Sequence, residues 1–209
     1  DKKLLKKLQQ ECGLLRTLSH PNIVKYYGYL MNEEQNEASI FMELVPHSLQ
    51  SLYKNIGPLN EKIIRKHIRQ VLAALVFLHS EKRRIIHGDL KAANILFDGT
   101  QVKLTDFGES RIMNASVPNL DVSHSGVTFK EIKGSILWMA PEIIKEEPIG
   151  TRSDICSLGC LIIELATAST PWAEVKEVGQ LLTKICKDEI PVIPSKLSLE
   201  CQDFILQCL

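Results

Sequence analysis

The chain has 209 residues, 44% of them hydrophobic, which bounds it to one or two packed units. Its 25 Lys and Arg balance its 25 Asp and Glu, so no basic excess marks nucleic acid or an anionic membrane as the main partner. No stretch approaches the roughly 20 apolar residues of a spanning helix. The first residues are too charged for a signal peptide, and the cysteines at 12, 156, 160, 186, 201 and 208 lack paired metal-ligand spacing. Together these features predict a cytoplasmic protein whose cysteines are reduced core thiols.

In chain order, Leu4, Leu8, Leu15 and Leu18 form an apolar stripe at helical spacing, with Glu11 on the stripe and in need of a cation. Lys2, Lys3, Lys6 and Lys7 read as the solvated face of the same helix. Residues 61–80 carry Ile64, Ile68, Val71, Leu72, Leu75, Val76 and Leu78 at helical spacing and predict a long helix. Ile95-Leu96-Phe97, an Asp98-Gly99 turn and Val102-Lys103-Leu104 predict a hairpin. Residues 153–167 are apolar nearly all round, as a central buried helix is, and Thr151 and Asp154 have capping-box spacing at its start. Pro171, Pro191 and Pro194 punctuate the remainder, with helices expected near 174–187 and 198–209.

The chemistry concentrates in His87-Gly88-Asp89-Leu90-Lys91-Ala92-Ala93-Asn94 and, twelve residues on, Asp106-Phe107-Gly108. Asp89 can accept the proton of an attacking hydroxyl. Asn94 and Asp106 offer oxygens to Mg²⁺, a hard cation that prefers such donors. The intervening hairpin folds the second motif back beside the first, so these residues are expected to converge. A carboxylate at 89, in a largely apolar stretch, is costly to bury without a task.

These motifs resemble the catalytic loop and metal-binding motif of eukaryotic protein kinases. Others follow in that family's order. Leu8-Gln9-Gln10-Glu11 and His20-Pro21-Asn22-Ile23-Val24-Lys25-Tyr26-Tyr27-Gly28 resemble the C-helix and the next strand, and Phe41-Met42-Glu43-Leu44-Val45-Pro46 resembles the hinge. Gly134-Ser135-Ile136-Leu137-Trp138-Met139-Ala140-Pro141-Glu142 looks like the end of an activation segment, and Ser153-Asp154-Ile155-Cys156-Ser157-Leu158-Gly159 like the start of the central helix. The wording is closest to the MAP kinase kinase kinase branch.

The resemblance implies an α+β, bilobal kinase fold: an N-lobe remnant at 1–42 (C-helix and two strands), a hinge at 43–47, and most of the helical C-lobe at 48–209. It implies ATP and Mg²⁺ as cofactors and a protein substrate, of the MAP kinase kinase class for this branch. Asp89 and Lys91 would be catalytic, Lys91 acting on the transferred phosphate as in serine/threonine kinases, and Asn94 and Asp106 the metal ligands. Met42 would limit the depth of the adenine pocket, Glu43 and Val45 would bind adenine through their main chain, and Leu96 would form its floor. Leu15, Tyr26, His87 and Phe107 match the stacked column that links the lobes, and Gly108 completes the metal motif. Asp154 would hold the catalytic loop through backbone N–H groups. Ser135 would support the substrate hydroxyl, and Glu142 would pair an arginine that follows the chain's last residue in this family.

The departures are also informative. A Gly-rich loop and a strand lysine precede the C-helix in the family, and without them Glu11 lacks its partner; the sequence reads as an incomplete copy of a kinase domain. Gly88 stands where most kinases place an arginine that binds an activation-segment phosphate. The segment holds Ser110, Ser116, Ser123, Ser125 and Thr128, with Thr128 the first choice as a modified site and Lys130 and Lys133 as alternative phosphate partners. Two alternatives follow: a pseudokinase or interaction module, favoured by the missing lysine, and a small-molecule kinase of the aminoglycoside or choline kinase type, favoured by His87-Gly88-Asp89-Leu90. Lys91 and the segment from Trp138 to Glu142 oppose the second.

Overall fold

The computed structural model describes residues 12–32, 37–113 and 135–209. Glu11 and Thr128 lie outside them, as do Leu4, Leu8, Lys2, Lys3, Lys6, Lys7, Ser116, Ser123, Ser125, Lys130 and Lys133. Residues 12–15 are helical and lead to an antiparallel pair, β1 (Tyr26–Asn32) and β2 (Glu37–Met42), with Tyr29 opposite Ile40. Two small sheets follow. One runs in the order β3 (His47–Ser48), β5 (Ile95–Phe97), β6 (Val102–Leu104), and the other pairs β4 (Ile85–Ile86) with β7 (Arg111–Ile112). The helices are α1 (Leu49–Ile56), α2 (Glu61–His79), α3 (Pro141–Ile144), α4 (Thr151–Thr167), α5 (Val178–Cys186) and α6 (Leu199–Cys208). This mixture of helices and small antiparallel sheets is the expected α+β class.

The β5–β6 hairpin forms where its turn residues place it. Asp98 Oδ1 accepts the N–H groups of Thr100 and Gln101, and Ile95 then pairs with Leu104. Two backbone bonds, Val24 N–H to Leu104 O and Leu104 N–H to Asn22 O, join the hairpin to the segment ahead of β1. Gln70 of α2 accepts from Val102 N–H and from Asn22 Nδ2, which ties the long helix to both.

In α2, Ile64, Ile68, Val71, Leu75 and Leu78 are buried as the periodicity predicts, but Val76 is 71% exposed. One residue past Leu75 is a rotation of about 100°, enough to carry Val76 off the apolar face. Helix α4 is the centre of the molecule: 13 of its 17 residues are buried, and it packs on α2 and α6. Its start differs from expectation. Gly150 is the N-cap, without a side-chain bond, so Thr151 and Asp154 make no capping box. The Asp154 carboxylate faces other donors. Helix α5 begins at Val178 rather than near 174, because Trp172 takes a left-handed φ of 61° and residues around it turn. The thiols of Cys12, Cys156 and Cys160 are buried, whereas Cys186 is exposed and is not a core thiol. Among the described residues no helix is long and apolar enough to cross a membrane.

Candidate active site

Helix α4 anchors the loop at 87–94 through two buried carboxylates. Asp154, 1% exposed, accepts His87 N–H on Oδ2 and Gly88 N–H on Oδ1, both at 2.9 Å, and His79 Nε2 lies 2.7 Å from Oδ2. Burial pushes this carboxyl up, but the bond from His79 and the two backbone N–H groups outweigh it and hold the group below its ordinary value. Gly88 has φ +82°, and a Cβ there would lie 2.7 Å from the Glu109 carbonyl oxygen. The absence of arginine at this position therefore has a backbone reason: the chain passes too close to Glu109 for any side chain.

Glu164 is the second anchor, and the sequence reasoning missed it. Fully buried, it accepts Tyr53 Oη–H on Oε1 at 2.9 Å, and Ala92 N–H at 3.0 Å and Trp138 Nε1–H at 2.9 Å on Oε2. Burial raises its carboxyl above the ordinary value despite these donors. One side chain thus joins α1, the loop at 87–94 and the segment at 136–138. The available signal was a lone carboxylate in an apolar helix, the same signal that Asp154 gives.

Between these anchors, Asp89 sits in a polar cluster. Its Oδ2 accepts from Lys91 Nζ at 2.6 Å and from Asn94 Nδ2 at 2.8 Å, while Asn94 Nδ2 also reaches the Asp89 carbonyl at 3.0 Å. Lys91 Nζ donates as well to Ser135 Oγ at 2.7 Å, so Asp89, Lys91, Asn94 and Ser135 come together. Asp89 Oδ1 is buried and has no hydrogen-bond partner among the described residues. His87 Nδ1 lies 3.3 Å from Asp89 N–H and its Nε2 lies 3.1 Å from Thr105 O. A neutral ring protonated at Nε2 satisfies both contacts.

The second motif returns beside the first: Thr105 N–H donates to Asn94 O at 3.0 Å, and the rings of His87 and Phe107 have centroids 4.9 Å apart. Asp106 is exposed, has a left-handed φ of 63°, and accepts Gly108 N–H on Oδ1 at 3.3 Å. Phe107, Leu15, Met42 and Asp106 line one cavity of about 170 Å³, and half-buried Tyr26 packs against the adjoining core. Val45 and Leu96, both half-buried, do not line that cavity; Leu96 lies in β5 opposite Ser48 and Lys103.

Glu43 carries side-chain contacts that its sequence motif does not show. Its side chain does not idle at the hinge but pairs with Lys103, Nζ lying 2.9 Å from Oε1 and 3.0 Å from Oε2, and accepts Lys25 N–H at 3.1 Å. Burial raises this carboxyl, and the bonds from Lys103 and Lys25 more than offset it, leaving it below the ordinary value. Glu142 accepts from Ser153 Oγ at 2.6 Å, which ties the segment after Trp138 to the start of α4.

This arrangement, with an aspartate at a buried loop and an oxygen-rich motif folded back beside it, is matched along the whole chain by the family described as protein kinase domain, over residues 1–209. The chain belongs to the protein kinase domain family. It is similar to mitogen-activated protein kinase kinase kinase A of Dictyostelium discoideum, 40% identical over 99% of this chain and 21% of that protein. Mitogen-activated protein kinase kinase kinase 3 of Homo sapiens is 36% identical over 95% of the chain and 31% of its own length. The serine/threonine-protein kinase STE11 of Saccharomyces cerevisiae is 37% identical over 98% of the chain and 27% of its own length. The chain thus spans less than a third of each of these relatives.

Proposed function

We propose that this chain carries the transfer site of a protein serine/threonine kinase that uses ATP and Mg²⁺ in a MAP kinase-type cascade, with a protein of the MAP kinase kinase class as substrate. On this account residues 1–42 belong to the N-lobe, 43–47 to the hinge and 48–209 to the C-lobe. The observation that carries it is Asp89 Oδ1, a buried carboxylate oxygen without a partner, next to an oxygen that Lys91 and Asn94 fix in place. A carboxylate held in this way is oriented to accept a proton at Oδ1 from an incoming hydroxyl. Lys91, already bonded to Ser135, is placed to offset charge on a moving phosphoryl group while Ser135 supports the hydroxyl.

The donor set fits Mg²⁺. Asn94 commits its amide nitrogen to Asp89, which leaves its oxygen as a donor, and Asp106 adds an exposed carboxylate. Two protein oxygens are what Mg²⁺ ordinarily takes beside waters and substrate phosphates, and the ion, when bound, neutralises charge on the phosphates. Met42, Leu15 and Phe107 offer the apolar wall that a nucleotide base needs, and Glu43 and Val45 the neighbouring backbone.

The names of the relatives support the cascade and the serine/threonine class, and Lys91 beside Asp89 supports that class independently. The built-in position of residues 136–142, with Trp138 bonded to Glu164 and Ile136 in a core of its own with Trp172, supports a protein substrate over a small molecule. The test is to incubate the full-length protein with Mg²⁺ and ATP and a catalytically dead MAP kinase kinase, followed by phosphoamino-acid analysis. Phosphoserine or phosphothreonine is expected; no transfer, or phosphotyrosine alone, contradicts the proposal.

A further inference from the structure

The cavity under Met42 has a counterpart on the other side of the same wall. Extended backbone sends successive side chains to opposite faces, and the wall uses this at two places: Val24 faces the front cavity and Ile23 the back one, Met42 the front and Glu43 the back. Leu15 and Asp106 also line the front cavity, and Leu18 and Lys103 the back one. The back cavity has a volume of about 340 Å³, within the range of ligand sites.

Its chemistry differs from that of the front. Leu18 and Ile23 give it an apolar base. At its rim, Lys103 is committed to both oxygens of Glu43, whereas the Lys25 ammonium rests 5.5 Å from the centroid of the Tyr27 ring, itself 62% exposed. Asp98 also lies near enough to act on both Glu43 and Lys103, so Lys103 is fully compensated, whereas Lys25 makes no ion pair among the described residues. His20, on the same cavity, adds no charge at neutral pH, since burial and the Arg83 guanidinium hold it below its ordinary value.

We propose that this cavity is a docking site for an acidic peptide segment of a partner protein, with an aliphatic side chain seated on Leu18 and Ile23 and a neighbouring carboxylate on Lys25. Charge complementarity selects the occupant: one uncompensated, exposed ammonium above an apolar base fits an alternating apolar and acidic sequence and disfavours a basic one. The occupant touches the layer that also carries Met42 and Asp106, so peptide and nucleotide affinities are linked, each altering the other by the same factor. That linkage, though not the site itself, rests on taking the front cavity as the nucleotide site.

The experiment uses the full-length protein and two fluorescein-labelled hexapeptides, one alternating Leu and Glu, the other alternating Leu and Gln, read by anisotropy. The Glu peptide is expected to bind at least tenfold tighter than the Gln peptide, and Lys25→Glu, a change at an exposed side chain, to abolish that difference. Saturating Glu peptide is expected to change the Kd for Mg²⁺-ADP at least threefold. Equal binding of the two peptides shows that only the apolar base is being read and overturns the proposal; so does a preference that survives Lys25→Glu, or no binding at all. A selective peptide that leaves ADP affinity unchanged refutes the linkage. If ADP itself does not bind, the fault lies with the front cavity, because anisotropy reports the back one independently.

Discussion

The loop at 87–94 and the loop at 105–108 each carry one candidate metal ligand, but the protein holds them very differently. Asn94 is 7% exposed and bonded twice to Asp89, and its loop hangs from two buried carboxylates, Asp154 and Glu164. Asp106 is exposed, sits at a left-handed φ of 63°, and has one long bond to Gly108 within its own turn. The Asp89 carboxylate is thus held in place by its own loop. Asp106 is placed by its neighbour instead: Phe107 is buried against His87, and Asp106 follows the backbone that Phe107 secures.

If the first loop is preorganised for proton transfer, Asp89→Asn should lower turnover by about 10²–10⁴-fold while leaving Mg²⁺-nucleotide affinity within about twofold. Steady-state phosphorylation and calorimetric titration of the same preparation check this. The anchor is the next point to break. In Asp154→Asn, one of the N–H groups of His87 and Gly88 faces an amide nitrogen that cannot accept, a loss of about 1–3 kcal/mol, visible in urea unfolding and accompanied by lower turnover. The corresponding change in the second loop, Asp106→Asn, should leave stability nearly unchanged, since asparagine tolerates a left-handed φ.

Acid sharpens the contrast between the anchors, because they have opposite signs. The Asp154 carboxyl is lowered on folding, so its contribution is complete above the unfolded value of about 3.9 and is lost as pH falls through the lower folded value. The Glu164 carboxyl is raised on folding, so its contribution is complete below the unfolded value and fades as pH rises through the folded one. Urea midpoints between pH 3 and 6 should show the stability gap between wild type and Asp154→Asn constant at the upper end and narrowing below about pH 4. A gap that widens in acid contradicts the assignment.

The smallest effect lies at the far end of α4, where Ala168 ends the helix with φ 56° and donates its N–H to Glu164 O. A left-handed conformation costs a non-glycine residue about 1–2 kcal/mol. Ala168→Gly should therefore stabilise the protein by about 1 kcal/mol, as a rise in melting temperature, without altering activity.

What could be read from the sequence was local. The β5–β6 hairpin, the convergence of Asn94 with the second motif, and the buried character of residues 153–167 all follow from spacing over a few residues. Long-range pairing was less legible. Thr151 and Asp154 have the separation of a capping box, but the N–H groups of His87 and Gly88 are stronger competitors for Asp154, and no local pattern shows them. Glu164 went unread for the same reason, its three donors coming from Tyr53, Ala92 and Trp138. Glu43 was taken as backbone alone because Lys103 is 60 residues away. Gly88 read as a missing arginine, and only the proximity of Glu109 explains why glycine fits.

The central claim is that proton acceptance and metal binding are divided between the two loops, and one paired measurement tests it: Mg²⁺-dependent ADP binding and substrate phosphorylation, both determined for full-length Asp89→Asn and Asp106→Asn. The account predicts that Asp89→Asn binds Mg²⁺-ADP like wild type and transfers phosphate about 10²–10⁴-fold more slowly, whereas Asp106→Asn loses at least tenfold in Mg²⁺-dependent affinity along with transfer. Equal loss of nucleotide affinity in the two variants would contradict it.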